Sequence, residues 1–300
     1  MDMARLQTLR ALSQHGTMAA AAVSLHLTPS AVSQQITQLE RELDSRLTER
    51  RGRRVALTVA GEALVRHTER MLAIMDEAKA ELAQLRGELA GELRVAAFPS
   101  IAAAVLAETV RVLQAAHPRL RVVVQEKEPR EGLMALGAWQ ADVALIDDLA
   151  TDPEGCHDRY VLRALAQDRL HILLPVSHPL AARPFLEIVA LRDAAWALDS
   201  TSSSFGEFFT DLCCRAGFEP RINAHCTGFE MVAAMVASGC SVSMASGLRL
   251  AKPLNGIAAV PLRPEIQRRI LVACRKEEAG HPAIQAFMET VQHRVQACFA

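Results

Sequence analysis

The stretch LTPSAVSQQITQLEREL, from Leu27 to Leu43, constrains the fold more than any other part of the 300-residue chain. Thr28 provides a hydroxyl for an N-cap, and Pro29 suits the first position of a helix. Apolar residues then recur at steps of four, three and four, which predicts an amphipathic helix: Val32, Ile36, Leu39 and Leu43. The outer face of this helix carries uncharged hydrogen-bonding side chains where Lys and Glu are usual: Ser30, Ser33, Gln34, Thr37 and Gln38.

Two shorter helices are predicted before this one. Leucines recur every three residues from Leu6 to Leu12 and indicate a first helix that ends at Gly16, because glycine commonly ends a helix. Thr17 can cap a second, alanine-rich helix from Met18 to about Leu25. Two short helices joined by a tight turn, the second with a polar outer face, are typical of a helix-turn-helix motif.

A basic segment, ERRGRR, follows the polar helix. It predicts a hairpin or wing that turns at Gly52 and ends in a short strand from Val55 to Leu57. The net charge of the chain is −1, so the positive charge is local: Arg50, Arg51, Arg53 and Arg54. Gln and Ser side chains suit base edges in the major groove, and arginines suit phosphates or the minor groove. This combination predicts a DNA-binding module.

A long helix is predicted next, because residues 59–89 contain no proline. After a first step of seven, its apolar residues alternate steps of four and three: Leu64, Met71, Met75, Ala78, Leu82, Leu85 and Leu89. This is coiled-coil spacing on a helix of ~30 residues, or ~45 Å. Such a seam needs a partner, and a second copy of the chain is favoured over packing onto the same chain.

The pattern changes to alternating strands and helices after Gly91. Strands GELRVAAF, RLRVVVQE and ADVALID, separated by helices at 101–117 and 131–138, predict a parallel βαβαβ unit. A second series begins at DRLHILLP and includes helices at about 205–216 and 229–238, strands SVSMA, IAAVPL and RRILVACRK, and a last helix at 282–297. Two α/β lobes, each with its own sheet, are expected to enclose a cleft.

Motifs for catalysis, cofactors and metals are missing from the sequence. The chain has no GxSxG, GxxxxGK[ST] or GxGxxG motif, and none of its seven cysteines forms a CxxC pair. We therefore expect free buried thiols, no metal, no cofactor and no catalytic activity. The N-terminus has no apolar signal core, and the most apolar run, 231–247, is interrupted by Ser and Gly. A cytoplasmic protein without a membrane partner is expected.

The segment GTMAAAAVSLHLTPSAVSQQITQLERELDSRLTERRGRRVALTVAGEAL resembles the winged helix-turn-helix of LysR-type transcriptional regulators. The resemblance extends over essentially the whole chain through AHPRLRVVV, ALGAWQADVALI, LPVSHPLA and the region of Gly239. It implies an α/β fold overall, with an N-terminal all-α winged helix-turn-helix, a long linker helix and a two-lobed, periplasmic-binding-protein-like regulatory domain. It also implies a homodimer or homotetramer that binds double-stranded promoter DNA and a small-molecule effector.

The resemblance assigns roles to individual residues. The positions that touch DNA in the family are occupied by Thr28, Pro29, Ser33, Gln34 and Gln35 on the recognition helix and by Arg51 and Arg53 in the wing. Pro29-Ser30 replaces the Gln-Pro of many members, which removes one base-reading amide. Thr48 stands where an aromatic usually anchors the wing. With the rest of the polar face and the basic segment, the candidate DNA-binding residues are Thr28, Pro29, Ser30, Ser33, Gln34, Gln35, Thr37, Gln38, Arg50, Arg51, Arg53 and Arg54.

Hydroxyl-bearing residues precede three helices of the predicted lobes: Ser100, the loop DSTSSS at 199–204, and Thr227. Backbone N–H groups at helix starts favour anions, so three such starts in one cleft predict a small anionic effector. The resemblance also implies an effector between the lobes. For each residue taken singly, N-capping is the alternative role. The candidate effector-binding residues are Pro99, Ser100, Ile101, Ser200, Thr201, Ser202, Ser203 and Thr227.

We therefore expect a winged helix-turn-helix at 1–58, a linker helix at 59–90 and a regulatory domain at 91–300, with lobe I at about 91–162 and 267–300 and lobe II at about 163–266. The expected function is sequence-specific, effector-controlled regulation of transcription. A solute-binding protein is an alternative, because the C-terminal two-thirds alone resembles one, but the basic N-terminal module disfavours it. A constitutive architectural DNA-binding protein is a third hypothesis, and it leaves the two lobes without a role.

Overall fold

The computed structural model describes residues 1–299 except 52–53, 85–88, 150, 152–153, 157 and 200–203. The chain forms two compact units, Met1–Leu85 with Ala138–Gln140, and Arg86–Gly137 with Ala141–Ala300. Each helix in the described part of the chain is either too short or too polar to cross a lipid bilayer.

The first unit begins with three helices, as predicted: α1 (Met3–His15), α2 (Met18–Ser24) and α3 (Pro29–Glu42). Gly16 ends α1 with a φ of 70°, in the left-handed region that glycine adopts readily. The hydroxyls of Thr17 and Thr28 accept the N–H groups of Ala20 and Ala31 and so cap α2 and α3. The three helices share one core: Leu6, Leu9, Leu12, Ala21, Ala22, Val32, Ile36 and Leu39.

The predicted wing and linker helix follow. Strand β1 (Thr48–Arg51) pairs antiparallel with β2 (Arg54–Leu57), and helix α4 spans Val59–Gln84. On the predicted seam, Leu64 and Met71 pack against the core of the first unit. Met75 and Leu82 are 46% and 61% exposed, so this part of the seam is only partly covered by its own unit.

The predicted helix does not extend to the last seam residue, Leu89. Leu85 lies outside the described residues, and Leu89 directly precedes strand β3 (Ala90–Ala97). Its side chain packs against the core of the second unit. The heptad spacing at this position was therefore misleading, because the apolar side chain serves the sheet and not the helix.

Between β3 and β11, the described part of the second unit contains seven strands and five α-helices. They are α5 (Pro99–Ile101), α6 (Ala107–Ala116), β4 (Arg119–Glu126), α7 (Pro129–Gly137), β5 (Val143–Asp147), β6 (Tyr160–Pro175), β7 (Ala195–Asp199), α8 (Ser204–Arg215), β8 (Arg221–Cys226), α9 (Phe229–Ala237), β9 (Ser243–Ser246) and β10 (Ile257–Pro261), followed by β11 (Gln267–Arg275) and α10 (Pro282–Phe299). A π-helical turn, Ala102–Leu106, joins α5 to α6. Strand β3 lies between β4 and β5 and is parallel to both, which confirms the predicted βαβαβ unit.

The two lobes do not have separate sheets, contrary to our prediction. Strand β6 begins at Tyr160, eight residues before the predicted start at Asp168. Its first part, 160–169, pairs with β11, and its last part, 170–175, pairs with β9 and β10. One continuous strand therefore connects the lobes. The parallel pair β7–β8, which no sequence pattern predicted, completes the second lobe.

Candidate DNA interface and effector cavity

Helix α3 turns its apolar face inward and its polar face outward. Val32, Ile36 and Leu39 are 0%, 2% and 0% exposed. Leu43, predicted on the same face, is the C-cap and is partly exposed, because the helix ends before it. The predicted outer-face residues are all exposed: Ser30, Ser33, Gln34, Thr37 and Gln38.

The outer-face side chains differ in the hydrogen bonds they already make. The Thr37 hydroxyl donates to the carbonyl oxygen of Ser33 at 2.9 Å, and the Gln38 amide lies 3.5 Å from the Glu42 carboxylate. The side chains of Ser33 and Gln34 make no hydrogen bond to another residue in the described part of the chain. They can therefore bond to a ligand without breaking an internal contact.

The start of α3 and Gln35 are more constrained. Thr28 caps the helix, and its hydroxyl lies 3.0 Å from that of Ser30, while Pro29 is exposed at the first helical position. Gln35 is half-buried, and its side-chain oxygen accepts a hydrogen bond from the Thr8 hydroxyl of α1. Part of this predicted DNA-binding amide therefore holds two helices together.

The wing is anchored by Glu40, a residue that sequence reasoning missed. One carboxylate oxygen of Glu40 accepts the N–H groups of Leu47 and Thr48 at 2.9 and 3.0 Å, and the Thr48 hydroxyl at 3.1 Å. A hydrogen-bonded threonine thus anchors the wing at the position where, by the resemblance, an aromatic is usual. The backbones of Arg50, Arg51 and Arg54 belong to β1 and β2, but their side chains and all of Arg53 lie outside the described part of the chain.

A cavity of about 310 Å³ lies between the two lobes of the second unit. The structure brings three predicted residues to it, Pro99, Ser100 and Thr227, together with Ser204 at the start of α8. Ile101 belongs instead to the core of the first lobe, because the helix turns its side chain away from the cavity into a buried cluster. Ser200, Thr201, Ser202 and Ser203 lie outside the described residues.

Arg268 of β11 is buried in the cavity wall and bonds to three other side chains. Its guanidinium donates to Asp168 at 2.8 and 3.0 Å, to Asp147 at 3.0 Å and to the Ser100 hydroxyl at 2.7 Å. It also lies 4.8 Å from the centre of the Phe98 ring. Burial raises the pKa of Asp147, and Arg268 opposes that shift. The charge of Arg268 is therefore already balanced by two carboxylates.

A second arginine, Arg249, also lines the cavity and belongs to the second lobe. Its guanidinium lies 3.2 Å from the Asp199 carboxylate and 4.9 Å from the centre of the Phe229 ring. Burial lowers the pKa of Arg249, and Asp199 opposes that shift. Burial also raises the pKa of Asp199, with Glu126 across the cavity adding to the effect.

The start of α8 already has a carboxylate partner from the same chain. Glu128, which precedes α7, accepts a hydrogen bond from the backbone N–H of Ser204. Glu131 in turn accepts the N–H of Glu128 at 3.2 Å and caps α7. Burial raises the pKa of Glu128, and the neighbouring charges of Asp147, Glu131 and Asp199 raise it further. One N–H group at a helix start that was predicted for an anionic effector is thus already bonded to a carboxylate of the same chain.

Sequence reasoning missed the charged residues of the cavity, although one signal was present. Asp168 and Arg268 both lie in strands that are otherwise largely apolar, and a buried charge needs a partner of opposite sign. The pattern does not identify that partner. Arg268 is 100 residues from Asp168 and 121 from Asp147 along the chain.

The cysteines and potential metal ligands are scattered. All seven cysteines are free, but only Cys213, Cys226 and Cys274 are buried, so the prediction of buried thiols holds for three. Burial raises the pKa of Cys213 to about 12 and that of Cys274 to about 11, which leaves both thiols protonated at neutral pH. No group of three or more His, Cys, Asp or Glu residues in the described ranges is arranged to hold a metal ion.

Comparison with known proteins identifies both units. Residues 3–62 match the family model for the bacterial regulatory helix-turn-helix protein, lysR family, and residues 86–296 match the LysR substrate binding domain. The chain is 23% identical over 264 residues to the transcriptional dual regulator GltC of Bacillus subtilis, with 87% of each chain covered. It is 26% identical over 300 residues to a probable RuBisCO transcriptional regulator of Synechocystis sp., with 96% of this chain and 84% of that one covered.

Solved structures show the same fold. A full-length OxyR variant from Pseudomonas aeruginosa superimposes with a TM-score of 0.73 at 21% identity, covering 99% of this chain and 95% of that one. Full-length CbnR in complex with its target DNA superimposes with a TM-score of 0.66 at 23% identity, covering 98% of this chain and 100% of that one. The chain therefore belongs to the LysR family of transcriptional regulators, with a helix-turn-helix domain and a substrate-binding domain.

Proposed function

We propose that this regulator reads DNA sequence with helix α3 and changes its DNA binding when a small effector occupies the cavity between its lobes. The outward face of α3 carries the proposal. Its side chains are exposed and uncharged, and Ser33 and Gln34 are not engaged by other described residues. A glutamine amide can form two hydrogen bonds with adenine in the major groove, and a serine hydroxyl can bond to several base edges.

The other predicted DNA contacts would orient the module on the duplex. The exposed start of α3, with Thr28, Pro29 and Ser30, offers backbone N–H groups and hydroxyls to a phosphate. Thr37, Gln38 and the free part of the Gln35 amide would extend the contact along the helix. The basic residues of the wing would bind phosphates or enter the minor groove: Arg50, Arg51, Arg53 and Arg54.

The linker helix supports a homodimer. Ile74, Met75 and Leu82 are exposed on α4, and an apolar seam of this kind is stable when a second copy covers it. Two copies joined through α4 would place two recognition helices on successive half-sites of the major groove. A homotetramer, as expected from the resemblance, would join two such dimers on the same promoter.

The cavity would hold the effector. Pro99, Ser100 and Thr227 line it, and Ser200, Thr201, Ser202 and Ser203 belong to the loop next to Ser204 in the sequence. The Ser100 oxygen accepts a bond from Arg268, so its proton remains available to a ligand. An effector changes DNA binding only if it binds two arrangements of the lobes with different affinity. The anionic effector expected from the helix starts stays a prediction, and the carboxylate of Glu128 at the start of α8 does not support it.

The protein would act in the cytoplasm, where promoter DNA is accessible, and by binding without catalysis. Titration of the purified protein onto the DNA upstream of its own gene, in 150 mM salt, tests the proposal. We expect binding at least about 10³-fold tighter than to a scrambled duplex. Equal affinity for both duplexes would contradict sequence reading, and a ligand response without DNA preference would favour the solute-binding alternative.

A further inference from the structure

The wall of the effector cavity carries more negative than positive charge. Among the described residues, five carboxylates line it and three cationic side chains do: Glu126, Glu128, Glu131, Asp147 and Asp199 against Lys127, Arg249 and Arg268. Asp168, directly behind Arg268, adds a further carboxylate. A ligand that enters therefore meets a negative electrostatic field.

The two arginines do not offset this field for a ligand. Arg268 donates hydrogen bonds to Asp168 and Asp147, and Arg249 lies 3.2 Å from Asp199. An anionic ligand would have to compete with carboxylates that are already in place and partly buried. Lys127 alone among the lining cations has no ion-pair partner in the described ranges.

The carboxylates also face one another across the cavity. Burial raises the pKa of Asp199; Arg249 opposes the shift, and Glu126 of the other lobe adds to it. Burial also raises the pKa of Glu128, and the charges of Asp147 and Asp199 raise it further. Neighbouring carboxylates repel one another when both are ionised, and a cation that lies between them stabilises both. The arrangement therefore has a deficit of positive charge at the point where the lobes meet.

The rest of the wall indicates the size and character of the missing group. Phe205, Phe229 and Met244 give the cavity apolar surface, and the volume of about 310 Å³ suits a small organic molecule better than a bare metal ion.

We propose that the effector of this regulator is a small organic cation, with an ammonium or guanidinium group among Glu126, Glu128 and Asp199 and an apolar body against Phe205 and Phe229. This assignment rests on the proposed function, because it names the class of effector for the same cavity. It replaces the anionic class expected from the helix starts.

Charged thiol reagents measure the field without knowledge of the natural effector. Thr227→Cys, in a background with Cys156→Ser, Cys214→Ser, Cys240→Ser and Cys298→Ser, places a thiol at the cavity wall. The reference protein keeps Thr227 and Cys240 and carries the other Cys→Ser changes. Its exposed thiol, Cys240, follows the C-terminal end of α9, whereas Thr227 precedes the N-terminal end. The rates for a cationic trimethylammonium methanethiosulfonate and an anionic sulfonate analogue are compared at each thiol. Both reagents react with the thiolate form, so the ratio of the cationic to the anionic rate at one thiol does not depend on the fraction of that thiol that is ionised.

We expect the cation-to-anion rate ratio at the cavity thiol to exceed the reference ratio by about tenfold or more. Glu128→Gln, which keeps an acceptor for the Ser204 N–H, should lower the ratio, and Lys127→Gln should raise it. Glu219→Gln, an exposed change in the same lobe outside the cavity, should leave it unchanged. A ratio equal to or below the reference overturns the proposal.

A second measurement uses ligands of matched shape on the wild-type chain. Calorimetric titration compares 2-phenylethylammonium, 2-phenylethanol and phenylacetate, and the ammonium compound is expected to bind most tightly. Tighter binding of phenylacetate overturns the proposal. Neither measurement includes DNA, so their results do not depend on whether α3 recognises DNA. Conversely, a positive field in the cavity would overturn only the cationic effector and not DNA recognition by α3.

Discussion

The polar side chains of helix α3 and those of the cavity between the lobes differ in how far they are engaged by other residues. On α3, Ser33 and Gln34 point outward from a buried apolar face and make no bond to other described residues. In the cavity, the single side chain of Arg268 bonds to Asp168, Asp147 and Ser100. The first surface leaves hydrogen-bonding groups unengaged, and the second uses several of its polar groups in bonds within the chain.

This difference decides what a substitution does. A side chain that is exposed and unengaged contributes little to stability, so its loss appears in binding. A buried charge with several hydrogen bonds contributes to stability as well as to any binding, because its loss leaves its partners unpaired in a poorly solvated site. Substitutions in the two regions should therefore separate cleanly into effects on binding and effects on stability.

The largest effect is expected for Arg268→Met, which leaves Asp168 and Asp147 buried without their cation. We expect the free energy of unfolding to fall by about 3–5 kcal/mol. The measurement is urea unfolding of the full chain followed by circular dichroism. Arg269→Met is the matched control, because Arg269 is exposed and pairs with Asp148 at 2.7 Å. Its cost should be about 1 kcal/mol or less. Equal costs for the two variants would contradict the comparison.

Gly61→Ala should destabilise the helix-turn-helix unit at a close backbone contact that lies outside α3. A Cβ at this position would lie 2.1 Å from the carbonyl oxygen of Leu47, which also accepts the N–H of Thr58 at 3.0 Å. The backbone must shift, and we expect a loss of about 1–3 kcal/mol in thermal unfolding. Gly132→Ala on α7 is the control, because its added Cβ meets only ordinary contacts, the nearest at 3.4 Å. A neutral Gly61→Ala would show that the wing and α4 adjust freely.

A smaller effect is expected for Glu128→Gln, and it depends on pH. Burial raises the pKa of Glu128 above its ordinary 4.5, so the folded chain holds this proton to higher pH than the unfolded chain. Stability from this group is therefore lost as the pH rises from about 4.5 through the raised pKa. The Gln variant cannot ionise, so its stability relative to wild type should increase between pH 4 and pH 7. Glu219→Gln should show no such trend, and parallel profiles for wild type and Glu128→Gln would contradict the burial argument.

The sequence predicted best what short stretches determine. Thr17 and Thr28 cap their helices, Gly16 ends α1, and the βαβαβ strands pair as expected, because each depends on neighbours in the chain. The start of β6 and the environment of Leu89 were missed, because they depend on partners in a distant sheet. The anchoring role of Glu40 was also missed, since a carboxylate near the end of a helix gives no sign of the strand it will contact.

The candidate sites divide in the same way. The outer face of α3 follows from helical periodicity alone. The cavity combines Ser100 with Arg268, which lie 168 residues apart, and no periodicity links them. The hydroxyls of Ser100 and Thr227 were found from their place before helices, but the buried charges that set the character of the cavity were not.

The most direct test of the account is the base preference of the Gln34→Ala variant, measured by selection from random duplexes and by affinity for the selected site. We expect a loss of about 1–3 kcal/mol in specific binding and a relaxed preference at one base position, with unfolding unchanged. Gln125→Ala, at an exposed glutamine on β4 outside the helix-turn-helix unit, should leave base preference intact. Unaltered preference and affinity in Gln34→Ala would contradict the claim that the open face of α3 reads the DNA sequence.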